Sequence, residues 1–155
     1  MRIINIILIF LFLHNTCIST GDSAHSSRII TPDESWWKGN LHTHSLWSDG
    51  NDFPEVIAEW YKKHGYHFLT LSDHNIISQG DHWILVEKSN RMRKGTPFHE
   101  AVAFDTVKKY REIFSEDWVE ERIREGKPEI RLKPLSEFRN LYEEPGKFLL
   151  IQSEE

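Results

Sequence analysis

The sequence predicts an α/β fold, because a helical segment lies between two strand-like segments. Residues 36–44 and 67–72 have the character of strands, and between them Val56, Ile57 and Trp60 recur with helical spacing. A strand–helix–strand unit implies parallel strands, which carry their functional loops at their carboxyl ends. Histidines and carboxylates follow both segments, so a site is expected at that edge.

The elements follow from local signals along the chain. Asp49 to Asp52 is turn sequence, and a helix is expected from Pro54, a residue suited to the first helical turn, to His64-Gly65, where glycine suits the end of a helix. Residues 79–146 predict a helical insertion after the second strand, with one helix over 97–114, a shorter one from 118 to near Gly126, and a third over 135–142. The apolar run within 147–153 predicts a returning strand.

Residues 1–21 resemble a secretory signal, and residues 22–35 read as a linker to a domain over 36–155. Arg2 precedes the apolar run 3–13, which small and polar residues follow. This run is shorter than the roughly 20 residues that span a bilayer, so no stable membrane span is expected after signal removal. The expected location is exported, periplasmic or secreted; lipidation of Cys17 is the weaker alternative.

Charge and cysteine usage narrow the function classes. The net charge is −5 and becomes −6 without Arg2, the only charged residue in 1–21 apart from the chain terminus. An acidic body disfavours non-specific binding to nucleic acid or to anionic lipid. Removal of the signal also removes Cys17, the only cysteine, so His, Asp and Glu must supply any metal ligands.

The histidines at the strand ends indicate a metal site. His42 and His44 are two residues apart and point to the same side if they lie on a strand. Alone, the pair is weak evidence for a metal, because two surface histidines on an edge strand give the same pattern. His74 follows the second strand, and titratable groups at the end of an apolar strand need a shared partner. Zinc and manganese accept imidazole and carboxylate ligands.

Four carboxylates compete for roles near these histidines. Asp49 is either a ligand or the residue that closes the Ser-Asp-Gly turn. Asp73 is expected to orient an imidazole from outside the ligand set, because its neighbour His74 points the opposite way. Glu154 and Glu155 follow the last strand, as ligands or as a charged terminus.

Trp47 lies between the histidine pair and Asp49, where it walls the site against a substrate or packs in the core. Four other histidines are expected to be structural, on the basis of their positions: His64, His67, His82 and His99.

Three segments together resemble the opening motifs of the PHP (polymerase and histidinol phosphatase) domain family: residues 42–44, 48–50 and 71–75. The resemblance runs from about residue 37 to the end. It implies a distorted seven-stranded β/α barrel, of which this chain holds an incomplete part. It also implies two or three divalent ions (zinc, manganese or iron) at the carboxyl ends of the strands.

The resemblance also assigns roles to residues. It places His42 and His44 on one metal and Asp49 and His74 on neighbouring metals, and it aligns Glu155 with a carboxylate that bridges two ions. The implied activity is that of a phosphoesterase, in which a metal-bridging hydroxide attacks the phosphorus of a small phosphorylated substrate. Asp49, His74 and Glu155 are then the catalytic residues.

The family uses further ligands from strands that would follow Glu155. We therefore expect either a fragment of a longer protein or a truncated, non-catalytic module that binds a metal or ligand. Metal-dependent hydrolysis of a C–N bond is a weaker third alternative.

Overall fold

A computed structural model describes residues 36–155, which form two sheets and three helices. The predicted signal over 1–21, including Cys17, and the linker over 22–35 lie outside the described residues. The mixed α/β class is confirmed. In chain order the elements are β1 (Gly39–Asn40), α1 (Pro54–Lys63), β2 (Phe68–Asp73), β3 (His82–Glu87), β4 (Arg91–Met92), β5 (His99–Ala103), α2 (Phe104–Ile113), β6 (Glu121–Arg124), β7 (Lys127–Leu132), α3 (Leu135–Tyr142) and β8 (Leu149–Glu154).

The first sheet has the order β1-β2-β8, and both pairings are parallel. Helix α1 connects β1 to β2, so the predicted parallel strand–helix–strand unit is confirmed. Helix α1 is followed by Gly65 in a left-handed conformation, as expected. Asp73 lies opposite Glu154 in the β2–β8 register. The ends of these two strands are therefore level, and the residues that follow them emerge side by side.

The first strand is shorter than the predicted 36–44. The side chain of Asn40 accepts a hydrogen bond of 3.0 Å from the His42 N–H, so the backbone leaves the ladder after β1. It returns at Thr43, whose carbonyl oxygen accepts from the Ser72 N–H at 2.9 Å. His42 and His44 therefore lie in a loop, and strand alternation is not the reason that they point together.

The second sheet has the order β4-β5-β3-β7-β6 and is mixed, with β3 and β5 parallel and the other pairs antiparallel. All five of its strands lie within residues 79–146, so the prediction of a helical insertion is wrong in its main part. Only α2 and α3 of that segment are helices; α3 matches the prediction for 135–142.

Tertiary pairing explains the two misassigned segments. In the first, Ala101 and Val102 pair with β3, so the predicted helix over 97–114 begins only at Phe104. In the second, residues 118–120 precede strand β6, and residues 121–124 form it. Strand β6 makes a hairpin with β7. Glu125 and Gly126, with φ of 53° and 73°, form the tight two-residue turn that twists in the sense hairpins favour.

Two apolar clusters pack around these sheets. One lies between the second sheet, α2 and the loop after β1; the other lies between α1, α3, β2 and β8. Within residues 36–155 both sheets are open rather than closed on themselves. None of the helices in this part of the chain has the length and apolar character needed to cross a membrane.

Glu55 is a fully buried carboxyl group in the first turn of α1. Its Oε1 accepts hydrogen bonds from the Tyr110 hydroxyl and, at 3.2 Å, from the Trp118 ring N–H, while Oε2 has no partner. Burial raises the pKa of Glu55 above its usual value of 4.5, and the two hydrogen bonds offset only part of this effect. Folding therefore opposes ionisation of this carboxyl group.

Replacing Glu55 by Gln should stabilise the protein as the pH rises. A carboxyl group with a raised pKa contributes stability below pH 4.5, and this contribution is lost as the pH rises through the folded-state pKa. The glutamine side chain keeps an acceptor for Tyr110 and carries no charge to desolvate. Urea unfolding from pH 4 to 8 should show the variant gaining on the wild type with pH. Glu112→Gln, at an exposed site on α2, is the charge-matched control.

Candidate metal centre

The loop after β1 folds back on itself and carries two of the predicted ligands. The carbonyl oxygen of Ser45 accepts from the N–H groups of Ser48 and Gly50, at 3.0 and 2.9 Å. The Leu46 N–H donates to the Asp52 carbonyl at 3.0 Å. These bonds form a compact turn that returns Asp49 to the side chain of His44.

Gly50 is required where this turn crosses itself. A Cβ atom at this position would overlap the carbonyl group of His44, so any larger residue must displace the backbone beside a predicted ligand. From the second sheet, the His99 Nε2–H donates to the Gly50 carbonyl oxygen at 2.7 Å. The turn is therefore fixed from both sides, although the sequence analysis gave His99 no part in the site.

Asp73 anchors the same loop to the end of β2. Its carboxylate is buried and accepts from the Ser45 N–H at 2.7 Å, the Ser45 hydroxyl at 2.8 Å and the Ser48 hydroxyl at 2.7 Å. The prediction that Asp73 orients an imidazole is therefore wrong in its partner. The Asp73 carboxylate contacts these serines because it points into the loop, away from His74. Asp73 positions the loop, and through it His44 and Asp49.

Two overlapping groups of side chains meet above the ends of β1, β2 and β8. One consists of His42, His44 and Glu155, and the other of His44, Asp49 and His74. In each group, one ligand atom from every residue lies within 4.8 Å of the others. All five residues predicted as ligands are thus brought together, and His44 belongs to both groups.

The distances within the first group are short. His42 Nδ1 lies 2.9 Å from Glu155 Oε2, and His44 Nε2 lies 3.1 Å from Glu155 Oε1. His74 Nδ1 lies 3.3 Å from the same Oε1. Glu155 is therefore central, in contact with all three imidazoles.

Asp49 occupies the matching position in the second group. Its Oδ1 lies 2.7 Å from His44 Nδ1, and its Oδ2 lies 3.5 Å from His74 Nε2. The rings of His44 and His74 have centroids 4.3 Å apart. The two histidines therefore face a common space, with one carboxylate on each side.

The donor set fits divalent metal ions. His44 Nε2 is buried and makes no hydrogen bond, although Glu155 Oε1 lies 3.1 Å away. A buried nitrogen without a partner is costly, and a shared cation would satisfy the imidazole and the carboxylate together. Three imidazoles and two carboxylates are the ligands that zinc, manganese and iron accept.

Glu155, rather than Glu154, reaches the cluster. Asn75, in a left-handed conformation with φ of 53°, donates its N–H to the Glu155 carbonyl oxygen at 2.8 Å. This bond joins the end of β8 to the turn after His74. Glu154 belongs to β8, is exposed and is in neither group. The choice between the two carboxylates depended on this contact, which has no local signal in the sequence.

Trp47 packs in the core instead of walling the site. Its side chain is 1% exposed, its ring N–H donates to the Lys133 carbonyl at 3.2 Å, and its ring lies beside His82. The apolar cluster under the second sheet requires a large side chain here. The substrate-wall alternative is therefore wrong for Trp47.

The four histidines expected to be structural are in neither metal-ligand group. His67 Nδ1 accepts from the Lys38 N–H at 2.9 Å, and His64 Nδ1 bonds to the Trp60 carbonyl at 2.7 Å. These contacts tie helix and strand ends together.

Comparisons of the chain with protein-family models, curated proteins and solved structures found no match. The resemblance to the PHP family therefore stays a prediction from the motifs.

Metal titration should separate the two ligand groups. Because His44 belongs to both, His44→Ala should remove all tight binding of zinc or manganese. His42→Ala should affect only the group with Glu155, and Asp49→Ala only the other group. Calorimetry with metal analysis by mass spectrometry measures these stoichiometries.

His64→Ala, outside both groups, is the histidine control for that titration. Equal stoichiometry in the wild type and His44→Ala would contradict the shared role of His44.

Asp73→Asn should lower metal affinity about 10–100-fold, the range for residues that hold ligands in place. The amide brings N–H groups against donors in Ser45 and Ser48, so the loop loses its fixed position. Zinc competition with a chromogenic chelator measures the change. Asp105→Asn, an exposed change of the same kind on α2, should leave the affinity unaltered.

Proposed function

We propose that this protein is a metal-dependent hydrolase, and most specifically a phosphoesterase of the PHP type. The observation that carries the proposal is the convergence of His42, His44, Asp49, His74 and Glu155 at the strand ends, with a buried imidazole nitrogen that lacks a partner. These five side chains are the types that bind two or three ions of zinc, manganese or iron.

Bound divalent ions supply Lewis acidity toward phosphoryl oxygens and lower the pKa of water toward neutrality. The protein's own residues position this chemistry. Asp49 and Glu155 provide negative charge on opposite sides of His44, and the contact of Asp49 with His44 Nδ1 fixes that ring. Asp73 holds the loop from below.

Access to the site supports a reaction with an external substrate. The side chain of His42 is 66% exposed and that of Asp49 is 43% exposed, whereas that of His44 is 17% exposed. The cluster is thus anchored on its inner side and open on its outer side. A small phosphorylated substrate can approach it from solvent, and the acidic overall charge disfavours nucleic acid.

The finer fold assignment belongs to the same proposal. The parallel order β1-β2-β8, with the site at the strand ends, is what the first part of a distorted seven-stranded β/α barrel requires. The second sheet would then be an insertion between two consecutive barrel strands. Export through a signal over 1–21 is a further part of this proposal, based on the sequence.

Phosphate release tests the proposal. With zinc, manganese or iron(II) supplied, the full chain or a longer product containing it should hydrolyse a phosphomonoester or a phosphodiester. His42→Ala and His74→Ala should abolish this activity, because each removes a ligand, while His64→Ala should retain it. A malachite-green assay measures phosphate from monoesters, the same assay with an added phosphatase measures the monoester product of diesters, and an amine assay measures amide hydrolysis.

Wild-type turnover with full metal content in either ligand variant would overturn the assignment. Hydrolysis of amides without phosphate release would favour the C–N alternative. Metal binding without any turnover would favour a non-catalytic module.

A further inference from the structure

A polar cavity of about 320 Å³ lies against the second sheet. It includes the start of β3 and β5 and the β6–β7 turn, and five residues with basic side chains line it: His82, Arg93, His99, Arg124 and Lys127. None of these belongs to the metal centre, and the motifs of the sequence do not explain them.

Ion pairs neutralise two of the carboxylates in this cavity. Glu100 pairs with Arg91, which lies outside the lining, and Glu129 pairs with Arg122 at 2.6 Å. Their negative charge is therefore already satisfied. Glu125 is the remaining carboxylate of the lining, and it lies in the exposed β6–β7 turn.

The cations of the lining are not paired in this way. Arg93, Arg124 and Lys127 make no ion pair among residues 36–155, although the described chain pairs most of its other arginines. Three unpaired cations face one unpaired carboxylate, although the charge of Arg91 is shared between Glu100 and Glu87. The cavity therefore keeps a small positive charge in an otherwise acidic protein. Such a charge attracts anions, and a concave surface concentrates it.

His99 provides a buried polar atom at the same cavity. The residue is 4% exposed, and its Nε2–H is engaged by the Gly50 carbonyl. Its Nδ1 is buried and has no partner. His99 thus connects the wall of the cavity to the loop that carries Asp49.

The state of His82 is consistent with this positive field. Its pKa is lowered, first by burial and then by the charge of Arg93. The nearby carboxylate of Asp81 offsets part of this effect.

We propose that this cavity binds a small oxyanion of the phosphate class, either free phosphate or the phosphate group of a small metabolite. Arg93, Arg124 and Lys127 supply both the charge and the hydrogen-bond donors. The site is separate from the metal centre and does not require it. The hydrogen bond from His99 to Gly50 joins the cavity to the loop that carries Asp49. Binding of the anion is therefore expected to change the environment of Gly50.

Phosphate titration of the full chain in EDTA tests the proposal, because EDTA removes the metal-centred route of phosphate binding. Calorimetry should show saturable binding of inorganic phosphate that weakens with added salt. Arg124→Gln and Lys127→Gln should each raise the Kd roughly tenfold, the effect of losing one charge-assisted hydrogen bond. In ¹⁵N-correlated NMR spectra the Gly50 amide should shift during the titration.

Lys108→Gln is the matched control, because Lys108 is exposed on α2 and also makes no ion pair among the described residues. It should leave the Kd unchanged. Glycerol phosphate in a parallel titration distinguishes the two sources, since tighter binding than phosphate identifies a phosphorylated metabolite.

Absence of saturable binding would overturn the proposal. So would binding that neither cavity variant weakens, or that Lys108→Gln weakens equally. If the protein binds phosphate in EDTA but hydrolyses no phosphate ester when metal is supplied, only the proposed function is contradicted.

Discussion

The structure of the site depends on one buried carboxylate, that of Asp73. It accepts three hydrogen bonds from Ser45 and Ser48 at 2.7–2.8 Å, and so fixes the loop after β1 to the end of β2. A buried charge is tolerated when several donors surround it. The position of His44 and Asp49 follows from this contact, and with it the convergence of both ligand groups.

Glu55 shows the opposite balance in the same fold. It has two donors to one oxygen and none to the other, so burial dominates and its pKa rises. Asp73 and Glu55 thus differ in the number of donors that contact a buried carboxyl group. The three donors to Asp73 hold the loop after β1 in place, whereas Glu55 links α1 to Tyr110 and Trp118.

The second sheet supports the site as well as forming its own cavity. His99 holds Gly50 by its carbonyl oxygen, and the Lys133 carbonyl accepts from the ring of Trp47. Both contacts fall on the loop between the predicted ligands. The insertion therefore buttresses the loop from the side opposite to Asp73, which explains why Trp47 is core rather than substrate wall.

The sequence by itself determined the ligand types and the parallel strand–helix–strand unit, because the histidines, Asp49 and the apolar periodicity are local features. It also indicated where α1 and α3 lie. Only the tertiary structure decided that 118–124 enters a strand, since β6 is stabilised by its partner β7 and not by its own sequence. The choice of Glu155 over Glu154, and of serines as the partners of Asp73, likewise depended on contacts between residues distant in sequence, such as Asn75 with Glu155.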